Sequence, residues 1–236
     1  MSFVIVSLII LVSAIVQGAT SFGFSLLALP LLGYFYNLKI IVPTLVIFSI
    51  VLNLIILLRL RLVPKFKELA ILAFFAICFI PVGVNVLIFV DEILLKRIVG
   101  LLLIIISVIM FKGITIKLKH KTFSYMIAGI LSGILNGAVS LSGPPIVVLL
   151  ASDQKNKNEF RASLTFLFLL LNVVTIFLFA NKGLFENKEI INMLFLLPVM
   201  IMGTFVGIYL GNKIDEQKFK KIVLILLMIM GILNLF

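Results

Sequence analysis

The chain has 236 residues, 63% of them hydrophobic and only 12% charged, with a net charge of +11. A soluble domain holds roughly 45–50% apolar and about 25% charged residues, so a water-soluble globular fold is excluded and an all-α polytopic membrane protein is expected. The positive charge does not point to nucleic acid, because the basic residues fall in short loops between apolar runs, where membrane topology accounts for them.

In chain order, an apolar run starts at Phe3 and is interrupted by Gly18-Ala19-Thr20-Ser21-Phe22-Gly23-Phe24. Glycine and small hydroxyl residues are weak material for a helix interior. The flanking stretches, 3–16 and 24–36, are short for a crossing. Met1-Ser2-Phe3-Val4 has no basic n-region, which argues against a cleaved signal peptide. Full-length spans follow over 40–58, 69–90 and 93–111, the last with Lys96 and Arg97 in its first turn, placed to snorkel. Cys78, the only cysteine, lies inside a span and reads as a small core residue. Tyr34, Tyr36, Tyr125 and Tyr209 lie near segment ends, as an aromatic belt predicts.

Residues 112–122 read as a cytoplasmic connection between a first repeat, 1–111, and a second, 123–236. The second half has a short apolar stretch, 123–136, and then a break of its own, Gly137-Ala138-Val139-Ser140-Leu141-Ser142-Gly143-Pro144-Pro145. The apolar limb after it, 144–151, reaches only about 12 Å and cannot cross alone. Spans are predicted at 160–180, 190–210 and 217–236, the last with Lys218, Lys220 and Lys221 in its first turn. At an offset of 119, Gly18, Ala19, Ser21 and Asn53 match Gly137, Ala138, Ser140 and Asn172. At an offset of 124, Gly83, Asp91, Glu92, Ile98 and Val99 match Gly207, Asp215, Glu216, Ile222 and Val223. Pro81 and Pro198 each fall mid-span in the corresponding segment.

Each break could be a broken crossing, a pair of tilted crossings or a re-entrant hairpin. Even crossing numbers put Arg59, Arg61, Lys65 and Lys67, then Lys112, Lys117, Lys119 and Lys121 on one side. Lys155, Lys157, Arg161, Lys213, Lys218, Lys220 and Lys221 join them, fifteen basic residues against five (Lys39, Lys96, Arg97, Lys182 and Lys188). Odd numbers split them ten and ten. The positive-inside rule therefore selects the even case, with both termini external, and limb length selects hairpins. A hairpin plus three spans is an odd count of crossings, so the repeats are expected to be inverted.

Two breaks in matching positions mark a transporter's binding site. The second limb of each hairpin aims a helix N-terminus, with its partial positive charge and unpaired N–H groups, at the centre, which suits a small anion. The substrate-binding candidates in the first half are Gln17, Gly18, Thr20, Ser21, Gly23, Ser25 and Asn53. Those in the second are Asn136, Gly137, Ser140, Ser142, Gly143, Pro144 and Asn172. Hydroxyls donate and glycines admit an oxyanion to the backbone, while the amides either contact substrate or bond helix to helix. Pro144 and Pro145 suit a helix start but remove two donors, leaving the N–H groups of Ser140 to Gly143 and of Ile146. Arg161 either draws anions to the vestibule or is an ordinary positive-inside residue.

No acidic or basic residue lies clearly mid-membrane, and His120, the only histidine, sits in the connecting loop. A carboxylate proton relay, an intramembrane enzyme, a metal site and a cofactor are therefore not expected. The partners expected are a small anion and membrane lipid, with a homo-oligomer left open. Competing readings are a permease for another small solute, with or without cation coupling, and a non-transporting assembly subunit.

Gln17-Gly18-Ala19-Thr20-Ser21-Phe22-Gly23-Phe24-Ser25-Leu26-Leu27-Ala28-Leu29-Pro30 resembles the first signature of the sulfite exporter TauE/SafE family, also called TSUP permeases. Ser132-Gly133-Ile134-Leu135-Asn136-Gly137, running into Gly143-Pro144-Pro145-Ile146-Val147-Val148, is similar to its second. The second departs from the pattern: the usual glycine cluster is replaced by Ala138-Val139-Ser140-Leu141-Ser142-Gly143. The resemblance implies transport of sulfite, thiosulfate or organosulfonates, often outward, across a prokaryotic plasma membrane.

Overall fold

A computed structural model describes residues 2–62, 66–111, 121–152, 157–186 and 188–213. The connection at 112–120 and the expected span at 217–236, with its basic first turn, lie outside them. Every regular element among the described residues is an α-helix. The first half contains α1 (Ser2–Thr20), α2 (Phe24–Leu32), α3 (Leu38–Leu60), α4 (Phe66–Phe89) and α5 (Glu92–Phe111). The second contains α6 (Lys121–Val139), α7 (Gly143–Ser152), α8 (Lys157–Asn181), α9 (Lys188–Leu194) and α10 (Leu197–Gly211). The spans expected at 40–58, 69–90, 93–111 and 160–180 thus appear as α3, α4, α5 and α8. The one at 190–210 is broken, α9 meeting α10 at 44°. Pro198 sits in the first turn of α10, where a proline starts a helix rather than bending one. Pro81, its counterpart, is carried inside a continuous α4.

The first limbs are longer than expected. Gly18, Ala19 and Thr20 continue α1, and Gly137 to Val139 continue α6, giving each helix 19 residues and membrane-spanning length. Of the four limbs flanking the breaks, only α2 and α7, with 9 and 10 residues, are too short to cross, reaching about 15 Å. The cause is packing. A Cβ on Gly129, Gly133 or Gly137 would stand 2.5, 2.2 or 2.4 Å from the carbonyl oxygens of Leu72, Ala76 or Ile80, so α6 lies backbone to backbone against α4. Gly203, Gly207 and Gly211 bring α10 equally close to Leu11, Ile15 and Ala19 of α1, at 2.7, 2.2 and 2.6 Å. Such contact rewards small residues every fourth position and offsets their weak helix propensity.

The centre of the molecule is the crossing of α3 and α8, whose apolar spans are the most buried, at 61% and 56%. The outward faces carry Leu8, Val12, Phe74, Phe177 and Met202, large apolar side chains left for lipid. Cys78 belongs to this exposed set, not to the core. Tyr34 and Tyr209 are exposed near helix ends, but Tyr125 is buried and does not join an aromatic belt. Lys96 is held, not snorkelling: its Nζ donates to the Gly33 carbonyl at 2.8 Å and pairs with Glu92 at 2.9 Å. Glu92 also accepts from Asn37, the N-cap of α3, so these contacts tie the α2–α3 corner to the start of α5.

Candidate functional site

Both helix breaks have the same backbone device. Ser21 and Ser140, 119 residues apart, each take a left-handed conformation, φ 68° and 57°, immediately after a long helix. Each N–H closes back on the preceding turn, Ser21 to the Gln17 carbonyl at 2.6 Å and Ser140 to the Asn136 carbonyl at 2.9 Å. That bond satisfies an orphan carbonyl and turns the chain, leaving room for a short second helix. Gly23, with φ 108°, takes the chain into α2 through a backbone region where a side chain would be strained.

The breaks converge. Ser25, in the first turn of α2, lies 3.2 Å, hydroxyl to hydroxyl, from Ser140 of the other half. Beside them is a cavity with about 320 Å³ of empty space, its mouth included. The first break contributes Gln17, Phe22, Gly23, Ser25 and Leu26, and the second contributes Ser140, Leu141, Ser142 and Gly143. The floor comes from the helix crossing: Ser49 and Asn53 on α3, Phe168 and Asn172 on α8. The 119-residue offset pairs Phe22 with Leu141, Gly23 with Ser142, Ser49 with Phe168 and Asn53 with Asn172, so the two halves share four matching positions in one cavity. No charged side chain is among them.

The structure therefore gathers Gln17, Gly23, Ser25, Asn53, Ser140, Ser142, Gly143 and Asn172 around one space. The other candidates stand elsewhere. Gly18 faces α10, where a Cβ would meet the Thr204 carbonyl at 2.5 Å, and Gly137 faces α4. Both are packing glycines, not points of backbone approach for an oxyanion. Thr20 closes its own turn, its hydroxyl 2.7 Å from the Val16 carbonyl and 2.5 Å from that of Phe22. Pro144 is buried in the first turn of α7, outside the lining. Asn136 turns away, its Nδ2 donating to Thr175 Oγ1 at 2.7 Å. The N–H groups of Ser140 and Leu141 are both used in capping α6, which narrows the donors of the second break to Ser142, Gly143 and Ile146.

Arg161 corrects an expectation. It is only 3% exposed, so it is not an ordinary solvated loop cation. From the first turns of α8 its Nε donates to Ser21 Oγ at 3.0 Å and its Nη2 to the Gly18 carbonyl at 2.9 Å. A second-half arginine thus holds the first-half turn. Phe22, Leu26, Ser49, Leu141 and Phe168 also line the cavity but were not among the candidates. Ser49 and Phe168 lie four residues before Asn53 and Asn172, one turn along the same helix face, and that spacing was the signal that could have found them.

Membrane-length helices enclosing a small uncharged cavity, its hydroxyls and amides set among apolar side chains, between two helix breaks are the layout of a membrane transporter. The chain belongs to the sulfite exporter TauE/SafE family, whose model matches residues 6–233, nearly its whole length. This is a family of transporters, so the chain is a multi-pass membrane protein of the permease class. Searches among curated proteins and among solved structures return no match.

Proposed function

We propose that the protein moves small sulfur-containing oxyanions (sulfite, thiosulfate or an organosulfonate) across a prokaryotic plasma membrane, by alternating access at the cavity between the two breaks. The observation that carries this reading is the convergence of both breaks, through Ser25 and Ser140, on a cavity with hydroxyl and amide lining. Two short helices begin at that cavity, and their N-terminal N–H groups and dipoles favour an anion. No charged side chain lines the site, so such an ion would bind without a counter-charge in the lining itself, which keeps release feasible.

The halves act as inverted repeats in this reading, with both termini external. Their packing supports it: α1 lies on α10 and α6 on α4, which are exchanged counterparts, while α3 crosses its own counterpart α8. Alternating access then amounts to rocking these interlocked pairs about the α3–α8 crossing. Labelling of a cysteine introduced at Ser2 in a Cys78→Ser background tests the topology; labelling only from the cytoplasmic side refutes it.

The deciding experiment is uptake into proteoliposomes of sulfite, thiosulfate, methanesulfonate, sulfate and simple carboxylates, with and without imposed ion gradients. Flux confined to sulfur oxyanions is the expected result. Flux of carboxylates alone overturns the substrate class. Cation coupling is a second reading favoured by one observation. Thr175 Oγ1 donates to the Leu171 carbonyl and so must accept from Asn136 Nδ2, leaving Asn136 Oδ1 a buried acceptor with no donor. A sodium-gradient dependence of flux supports it.

A further inference from the structure

Side-chain amides are ordinarily ambiguous about which end carries oxygen. At the first break a backbone donor removes the ambiguity. The Phe24 N–H can only donate, so the Gln17 atom 3.0 Å away is its oxygen, Oε1. The Gln17 nitrogen must then face the other way, where Nε2 donates to Asn53 Oδ1 at 2.9 Å. With its oxygen taken, Asn53 is left with Nδ2, a buried amide group that has no hydrogen-bond acceptor. Asn53 is fully buried and lines the cavity. A buried donor without an acceptor is a standing cost that a ligand oxygen would remove.

We propose that Asn53 Nδ2 is the oriented donor that receives an oxyanion in this cavity, and that Gln17 is the positioning residue that keeps the donor, rather than the oxygen, available. The proposal rests on the anion-permease reading above and adds the chemistry of one contact: an acceptor-only edge, such as that of a sulfonate group. A cation meets N–H hydrogens at this point and is disfavoured. The second half carries no copy of the device. Asn172 occupies the matching position but leaves an acceptor, its Oδ1, without a partner, and Asn136, the match of Gln17, is committed to Thr175. The relay also uses up the Phe24 N–H, so the start of α2 offers the anion one backbone donor fewer, and the Asn53 amide stands in for it.

Two near-isosteric changes reverse the polarity. In Gln17→Glu an ionised carboxylate accepts from both Phe24 N–H and Asn53 Nδ2, which turns the Asn53 oxygen toward the cavity. In Asn53→Asp an ionised oxygen takes the place of the donor. Arg161, bonded to the Gly18 carbonyl, is a charged side chain of this stretch. The α3 and α10 residues facing this stretch, Ser49, Asn53, Thr204 and Gly207, do not titrate at these pH values.

The readout is stabilisation of the purified full-length protein against heat by methanesulfonate and by thiosulfate, whose charges do not change over the range used. At about pH 7.5 each variant is expected to bind about 10- to 100-fold more weakly than wild type, the loss of one hydrogen bond to a charged ligand. At about pH 5 protonation of a buried carboxyl restores an O–H donor in either variant, and affinity recovers. Recovery in either variant supports the relay, and Asn53→Asp decides if Gln17→Glu does not fold. Wild-type binding with unchanged affinity in the variants, or a loss that acid does not reverse in either, overturns the relay alone. No binding of either anion by wild type overturns the anion reading and the relay with it.

Discussion

The two breaks share a backbone and differ in how they are held. Ser21 and Ser140 take the same left-handed turn at matching positions, yet their surroundings diverge. The first is pinned by hydrogen bonds from three directions: Gln17 spans the turn to Phe24 and reaches Asn53, while Arg161 grips Ser21 and Gly18. At the second, Asn136, one methylene shorter than Gln17, bonds to Thr175 on α8, and Ser140 has the Ser25 hydroxyl as partner. Two prolines open the following helix there. The lesson is that the turn geometry is what the hairpin demands, whereas the polar chemistry around it is free to specialise. Backbone packing lies behind both breaks, α10 on α1 and α4 on α6; charge-assisted and relayed bonds are added at the first, and proline stiffness at the second.

The largest effect should erase this difference. A side chain at Gly137 would meet the Ile80 carbonyl at 2.4 Å and the Val84 nitrogen at 2.7 Å, and one at Gly18 would meet the Thr204 carbonyl at 2.5 Å. All are backbone atoms that cannot step aside. Gly137→Val and Gly18→Val should therefore each destabilise the protein by about 3 kcal/mol or more and abolish transport, whichever break they precede. Thermal unfolding in detergent beside uptake checks this. A variant with wild-type stability and no transport would return these glycines to the anion.

The next effect should expose the difference. Arg161→Met removes two charged hydrogen bonds from the first turn, a loss of about 2–4 kcal/mol with uptake reduced more than about tenfold. Ser25→Ala removes one neutral bond from the second turn and should cost about 1 kcal/mol. Equal losses in the two variants, measured by unfolding midpoint, would mean the breaks are held alike.

How far this was legible in the sequence follows from what each residue's role depends on. The spans α3, α4, α5 and α8 could be read because lipid imposes a length and a composition on every crossing, independent of neighbours. The break serines were visible because small hydroxyl residues and glycine are costly inside a helix. Gly18 and Gly137 were assigned to the site since a glycine under a helix neighbour and a glycine under a ligand have the same sequence signature. Only the position of α10 and α4 separates them. Arg161 was hidden for a related reason. Its place at the start of a span suits a topology-determining cation, and nothing local says that Ser21, 140 residues earlier, would fold onto it. The bend between α9 and α10 escaped because Pro198 was matched to Pro81, which α4 absorbs without breaking.

The smallest effect separates the two turns most cleanly. A left-handed conformation costs a non-glycine residue about 1–2 kcal/mol, and glycine removes that cost. At Ser140 the relief works against the loss of one neutral hydroxyl bond of about 1 kcal/mol, so Ser140→Gly should leave stability unchanged or slightly raised. At Ser21 the hydroxyl bond forfeited is to a guanidinium, about 1.5–3 kcal/mol, so Ser21→Gly should lower stability by about 1 kcal/mol despite the same relief. Unfolding midpoints of the two single variants and of Ser21→Gly in an Arg161→Met background settle the matter. With the arginine gone, the Ser21 change should become neutral or stabilising, as at Ser140. If it still destabilises, the serine is needed for something other than the arginine, and the contrast between the breaks does not lie in that bond.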